Sequence, residues 1–497
     1  MVRVARQSGV YALGNAGVKL SGFVVAAIQL NTLYLPLAHN GKLGAFTSIA
    51  MLVAPLLTLG LPTALLRFAT AAGLDEDERA ALPFTGLALV AAMAGTVTLA
   101  LWPLGGMIGG LTVLGRDPAG LEPHAPLFGR LMVLYAAFKA VGALGLVHLQ
   151  ARERAGLFSL AQASEAALLI VLNYLFLVER AMGLRGALLA LVVAAAVPAL
   201  ALAGGILVTS RRRFQRRLVR PLLAFGAPVI VVGLSLPMLQ LGDKQMLNWM
   251  SEPASLSLYD AAGKVAGIVN VILIQAFQTA FSVAGLRAIG GGEGADLHRR
   301  MFRHLCVFGG GFTLGLSLFA FDVLALLTPK GSPYLDAAPL VLPLTLGYFF
   351  YGLYIVAANP LYARAKTRQV SVGVALAAVG NLALNAVLIP PFDAMGSAVA
   401  TVLAYGTLAV VTSVWVGRLE GVRFPFAALA GTLAVVVVLG ALGLLANDFL
   451  PVQRWAAHGA LMVLYPLGVL LVGAYRWEDV TAGWAAFTKW RRRGAGE

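Results

Sequence analysis

Charge is what this sequence has least of. Of 497 residues, 12% are charged and 59% hydrophobic, whereas soluble domains carry roughly 25% charged residues; this excludes a soluble globular protein. Cysteine is almost missing. Cys306 stands alone, so neither an intramolecular disulfide nor a cluster of thiolate ligands can form. The six histidines (39, 124, 148, 298, 304 and 458) show no metal-ligand spacing, and no glycine-rich loop runs into a Lys-Ser or Lys-Thr pair to cradle a nucleotide phosphate. The longest connection on the outside, GGMIGGLTVLGRDPAGLEPH (105–124), keeps its acids Asp117 and Glu122 apart. The expectation is therefore no enzyme and no ATP-driven pump, with no catalytic residues, metal site or cofactor. Two further absences matter. No period-two alternation marks transmembrane β-strands, and the apolar stretch after Met1–Arg6 runs to about Leu35 without a small-residue cleavage site.

What the chain does have is length of apolar run. Stretches of about 20 residues recur from end to end, each sufficient to cross roughly 30 Å of hydrocarbon as a helix. They predict an all-α integral membrane protein of about 14 transmembrane helices. With the N-terminus inside, the inner connections and tails collect Arg67, Arg79, Arg152, Arg154, the run RRRFQRRLVR (211–220), Arg299, Arg300, Arg303, Arg364, Lys366, Arg368, Arg418, Arg423 and the basic tail. The outer connections collect only Lys42, Arg116, Arg180, Arg185, Lys330 and Arg454. This alternation follows the positive-inside rule, which places both termini in the cytoplasm. It also accounts for the net charge of +15 without a nucleic-acid partner.

The run at 211–220 is the strongest polar break and reads as the join between two halves of six helices, 1–210 and 211–420. Residues 421–497 then hold an almost uncharged, lipid-facing pair of helices and a basic tail. Its last stretch, WEDVTAGWAAFTKWRRRGAGE (477–497), suits an interfacial amphipathic helix.

Charges placed inside such spans are costly unless they face protein or a wet cavity. At about 1.5 Å of rise per residue, Lys19, Lys139 and Glu165 fall near mid-membrane. Arg130 lies near an outer end, and Asp243, Lys244, Asp260, Lys264 and Asp322 cluster toward the outer ends of spans 7, 8 and 9. The first half thus carries a surplus of positive charge and the second a surplus of negative charge. Asp260 and Lys264, four apart, can pair on one helix face. Asp243 and Lys244 are adjacent, point about 100° apart and need other partners. This quartet is either inter-helix glue or a direct substrate contact, at an outer gate. Lys19 and Lys139 have too few acids nearby and are expected to meet an anion. Glu165 and Asp322 are the candidate coupling acids. Asn31, Asn270, Asn359, Asn381 and Asn385 are interhelical hydrogen-bond formers or cavity-lining groups. Pro62, Pro198, Pro228, Pro237 and Pro343 are expected to kink or break helices.

Several stretches together resemble the polysaccharide transport branch of the multidrug/oligosaccharidyl-lipid/polysaccharide exporter superfamily, the lipid-linked oligosaccharide flippases. They are LGLPTALLRFATA (59–71), LQARERAGLFSL (149–160), GDKQML with LYDAAGKVAGI (242–268), YLDAAPLVLPLTLGYFFYGLYIVAANPLYARAKTRQ (334–369) and GNLALNAVLIPPFDAMGSAVATVLAYG (380–406). Asp393 departs from the small residue, often glycine, usual at its place. The resemblance implies two six-helix lobes around a central cavity, alternating access, and a polyprenyl-pyrophosphate-linked glycan flipped from the cytoplasmic to the outer leaflet of a bacterial inner membrane. Membrane lipids and polysaccharide polymerase or glycosyltransferase machinery are the implied partners, and a monomer is expected. On this reading Lys19, Lys139, Arg130, Arg67, Asn31 and Asn359 contact substrate, since Lys and Arg are good phosphate partners. The alternative of the same fold is an ion-coupled multidrug exporter, which would rest on Glu165.

Overall fold

The computed structural model describes residues 21–70, 74–116, 120–275, 277–278, 294–364, 366–445 and 451–478. Among them every regular element is helical, as hydrocarbon demands of an open chain: a helix satisfies its own backbone groups. Lys19 and most of the basic tail lie outside the described residues. The helices are α1 (21–29), α2 (Leu37–Leu57), α3 (Leu61–Thr70), α4 (Glu76–Leu101), α5 (Gly105–Gly109, continuing as a wide π-turn over Gly110–Leu114), α6 (Ala125–Ala151), α7 (Ala155–Asn173) and α8 (Gly183–Thr209). There follow α9 (Arg216–Met250), α10 (Pro253–Val269), α11 (Gly294–Leu318), α12 (Ala320–Leu327), α13 (Ala338–Ala363), α14 (Thr367–Glu420), α15 (Phe426–Leu445) and α16 (Pro451–Leu471).

Among the described residues ten helices are long and apolar enough to cross a membrane, and α11 with α12, bent by 61°, forms one more candidate. Helix α14 has 54 residues and breaks at Asp393, so it holds two spans; α9, with 35 residues, is long enough for another. The expected count of about 14 spans is consistent with this arrangement.

One break falls at an expected proline, Pro62 in the first turn of α3. Pro198 and Pro343 sit inside continuous helices, where neighbouring groups re-satisfy the backbone. The second span breaks between α2 and α3, where Leu59 and Gly60 both take positive φ. A Cβ on Gly60 would run into the backbone of Gly226, and one on Gly226 into Leu59; α3 and α9 therefore touch backbone to backbone. The other sharp break is Asp393, with φ 53° and ψ −134°, a region that favours glycine. Close behind it, a Cβ on Gly396 would strike the Leu388 carbonyl. The aspartate is held there by a hydrogen bond that the Ser255 hydroxyl donates to its carboxylate.

The chain divides into two compact units. The first comprises residues up to Lys264 with Ala325–Asp336 and Val374–Ser397; the second comprises Val265–Leu324, Ala337–Gly373 and the chain from Ala398 on. In the first, α6 runs through the middle, packed on α2, α3, α4, α5, α7 and α8. One apolar cluster (Phe46, Phe128, Tyr135, Leu188) fills one end and another (Leu61, Leu82, Leu144, Leu218) the other. In the second, α11 packs on α13, α15 and α16. The pair α15–α16 thus has one face buried on α11 through Leu314, Val436, Leu461 and Tyr465, and the Tyr465 hydroxyl donates to the Val307 carbonyl at 2.5 Å.

Candidate functional site

Two groups of intramembrane charge stand out in the first unit. The mid-depth group is a single pair. Lys139, on α6, donates to Glu165, on α7, at 2.9 Å, and the two side chains remain 34% and 31% exposed. They line a small pocket of about 100 Å³ with Phe138, Gly142, Gln162, Ala195 and Pro198. Apart from Gln162 the rest of the wall is apolar, so the pair and that amide are the polar groups the pocket offers a ligand. Glu165, a candidate coupling acid in the sequence, is therefore the partner of Lys139, which corrects the expectation that this lysine has no acid nearby.

The second group is closed. On α9 and α10, Lys244 reaches Asp260 at 2.5 Å and Lys264 reaches the other oxygen of the same carboxylate at 3.0 Å, with Asp260 only 7% exposed. Tyr259 donates its hydroxyl to Asp243, which also accepts the Lys244 backbone N–H at 2.7 Å. The fold thus joins all four residues of the expected quartet: Lys244 belongs to both halves, through its side chain to Asp260 and its backbone to Asp243. Tyr259, which the sequence reading passed over, supplies the partner Asp243 needed.

Lys42 corrects the outer-loop assignment. It is not in a loop but in the second turn of α2, 1% exposed, and donates to the Leu114 carbonyl at 2.5 Å and to Asn248 at 3.1 Å. The cause is the end of the helix at Leu114, whose last-turn carbonyls have no donors within the helix. Asn248 and Trp249 of α9 fill the others, Thr112 at 3.2 Å and Leu111 at 2.7 Å. A loop-like stretch, LAHNGKLG, thereby becomes helix with tertiary partners in place for Lys42. The signal was legible only as polar residues clustered at the apolar ends of α2 and α9.

The remaining candidates sit on local partners, and none of them lines the Lys139 pocket. Arg130 lies over the Trp102 ring, 5.3 Å from its centre, and Arg67 over Phe225 at 4.4 Å. Asn31 caps the turn after α1 by accepting from the Leu33 N–H at 3.0 Å. In the second unit, buried Asn359 lies 3.0 Å from the His298 imidazole. Asp322 meets Arg454 at 2.8 Å and the Trp455 indole N–H at 2.9 Å, so this acid ties α12 to α16. Glu420, which was not singled out, takes Lys366 at 2.6 Å and Arg364 at 3.4 Å. Among the described residues no group of His, Cys, Asp and Glu could hold a metal ion.

A bundle of apolar helices with paired charges at depth is a multi-pass membrane protein, and its fold is shared with known transporters. Lipid II flippase MurJ, in an inward closed conformation, superposes with a TM-score of 0.75 over 95% of this chain and 99% of that one, at 11% identity. An inward-facing multidrug resistance MATE family transporter of the MOP superfamily gives 0.68 over 82% and 94%, at 15% identity. A MOP superfamily transporter from Pyrococcus furiosus gives 0.55 over 83% and 97%, at 16% identity. No curated protein matches the sequence. The family model described as polysaccharide biosynthesis protein matches residues 4–282. The chain belongs to that family, in the polysaccharide transport branch of the multidrug/oligosaccharidyl-lipid/polysaccharide exporter superfamily.

Proposed function

We propose that this protein flips a polyprenyl-pyrophosphate-linked oligosaccharide from the cytoplasmic to the outer leaflet by alternating access, as a step in cell-surface polysaccharide assembly. The observation that carries the reading is the half-open Lys139–Glu165 pair at mid-membrane depth. A lysine that keeps a third of its surface accessible inside the membrane can exchange its carboxylate for a phosphate, while Glu165 limits the cost of the charge when the site is empty. Lys19 is the second phosphate partner on this reading, with Arg130, Arg67, Asn31 and Asn359 as further contacts along the path. The quartet around Asp260 acts as the outer gate. Family membership supports the glycan, and the basic residues of the inner connections support cytoplasmic termini and an inner-membrane location.

Proteoliposomes test this directly. A labelled lipid-linked oligosaccharide should move between leaflets, and Lys139→Ala should stop it while insertion is preserved. Full flipping by the Lys19→Ala, Lys139→Ala protein would end the phosphate assignment. Cationic-dye efflux without flipping would end the proposed function itself.

A further inference from the structure

A second and larger cavity adjoins the Lys139 pocket, sharing Ala161, Pro198 and Leu202 with it. It measures about 490 Å³, inside the range of about 300–1,000 Å³ common for sites of small ligands. Its wall is apolar, formed by Leu149, Leu157, Leu160, Ala201 and Leu202 of α6, α7 and α8. Ser164 also lies on the wall, but its hydroxyl is committed to the Ala161 carbonyl at 2.8 Å. The other polar lining groups, His148, Arg152, Arg154 and Thr209, gather at one end, where α6 stops, α7 starts and α8 stops.

That end is built as well as charged. Arg152 donates to the Thr209 carbonyl at 2.9 Å, and His148 lies 3.3 Å from the Thr209 hydroxyl, which fixes α6 to the last turn of α8. Arg152 uses one guanidinium nitrogen in this bond, and Arg154 is exposed. Glu153, between them, does not line the cavity. Farther along, Arg211 pairs with Asp77 and Arg212 donates to the Leu207 carbonyl at 2.7 Å. The side of the cavity is open: only 11% of the apolar window of Ala155–Glu179 is buried, and Leu157 and Leu160 are 45% and 63% exposed.

We infer that this cleft is a binding site for one anionic glycerophospholipid of the adjoining leaflet. Arg152 and Arg154 hold its phosphate, and one acyl chain lies along Leu157, Leu160 and Leu202. The charge is complementary, since guanidinium groups match phosphate geometry and two basic side chains at a membrane surface attract anionic headgroups. The rest of the wall has no aromatic platform and no set of neutral hydrogen-bonding side chains to seat a sugar, so it fits headgroup and chain rather than glycan. This site is independent of whichever solute the transporter moves.

The test uses the full chain in nanodiscs of equal parts phosphatidylglycerol and phosphatidylcholine, extracted and weighed by native mass spectrometry. The wild type should retain phosphatidylglycerol over phosphatidylcholine by about tenfold or more. Arg152→Ala with Arg154→Ala should bring the two lipids near parity. Because Arg152→Ala also breaks the tie to Thr209, Arg154→Glu is the second variant, and it should lower the preference by at least about tenfold with an unchanged thermal unfolding curve. Parity in the wild type, an undiminished preference in both variants, or displacement of the retained phosphatidylglycerol by an equimolar polyprenyl phosphate would overturn the inference.

Discussion

Lys139 and Asp260 both carry charge into the membrane, and the fold treats them in opposite ways. Lys139 has one acidic partner, and both ends of the pair are about one-third exposed. Asp260 has two lysines on its two oxygens and is nearly sealed, with Asp243 and Tyr259 closing the network beside it. A pair that is one-third exposed can trade one partner for another ion without unsealing a packed site. A sealed network cannot lose one member without stranding the rest. The difference separates a place suited to binding from a place suited to holding helices together.

The largest expected effect comes from breaking the sealed site. Asp260→Ala leaves Lys244 and Lys264, 20% and 25% exposed, without their shared buried carboxylate, and should cost about 3 kcal/mol of stability, read as a lowered unfolding midpoint in detergent. Lys264→Ala on that background should add far less than it does alone, because its partner is already gone. Equal, additive losses would show that the network is not coupled.

At the open site the balance reverses. Lys139→Ala should lower the unfolding midpoint less than Asp260→Ala, since Glu165 stays about one-third exposed, yet stop flipping. Lys139→Arg should keep part of the activity, since charge is retained. A Lys139→Ala protein that unfolds as readily as Asp260→Ala would erase the contrast between the two sites.

Packing offers a finer measure. A Cβ on Gly44 would lie 3.3 Å from the Asp260 carboxyl carbon, whereas one on Gly142, beside Lys139, would meet Ala199 at an ordinary 3.6 Å. Gly44→Ala should therefore destabilise by about 1 kcal/mol, and Gly142→Ala should be neutral or stabilise by a similar amount through helix propensity. The smallest disturbance of all is a label. In a Cys306→Ser background, cysteine at Arg216 should react only from the cytoplasm and cysteine at Lys330 only from outside. Reaction of both from one side would undo the depth assignments of both charge sites.

Asp393 shows how local chemistry and tertiary contact trade. Sequence comparison marked it as a departure from a small residue, often glycine, and the backbone explains the preference: φ is 53° there, which costs an L-residue about 1–3 kcal/mol. Which group compensates could not be read from the chain, because Ser255 lies 138 positions away.

Composition and apolar run length by themselves determined a helical membrane protein of about 14 spans, since hydrocarbon offers an open chain no other structure. The i, i+4 spacing alone determined that Asp260 and Lys264 would pair, because one helix face carries both. The packing of one helix on another settled that Glu165 belongs to Lys139, that Lys42 is buried in a helix, that Asp322 serves α16, and that Pro198 and Pro343 leave their helices unbroken. Each of those outcomes depends on which helices come to lie side by side. A helix period fixes the face on which a residue stands, but the neighbour it meets is set by packing across more than a hundred residues of chain, as with Asp322 and Arg454, 132 apart.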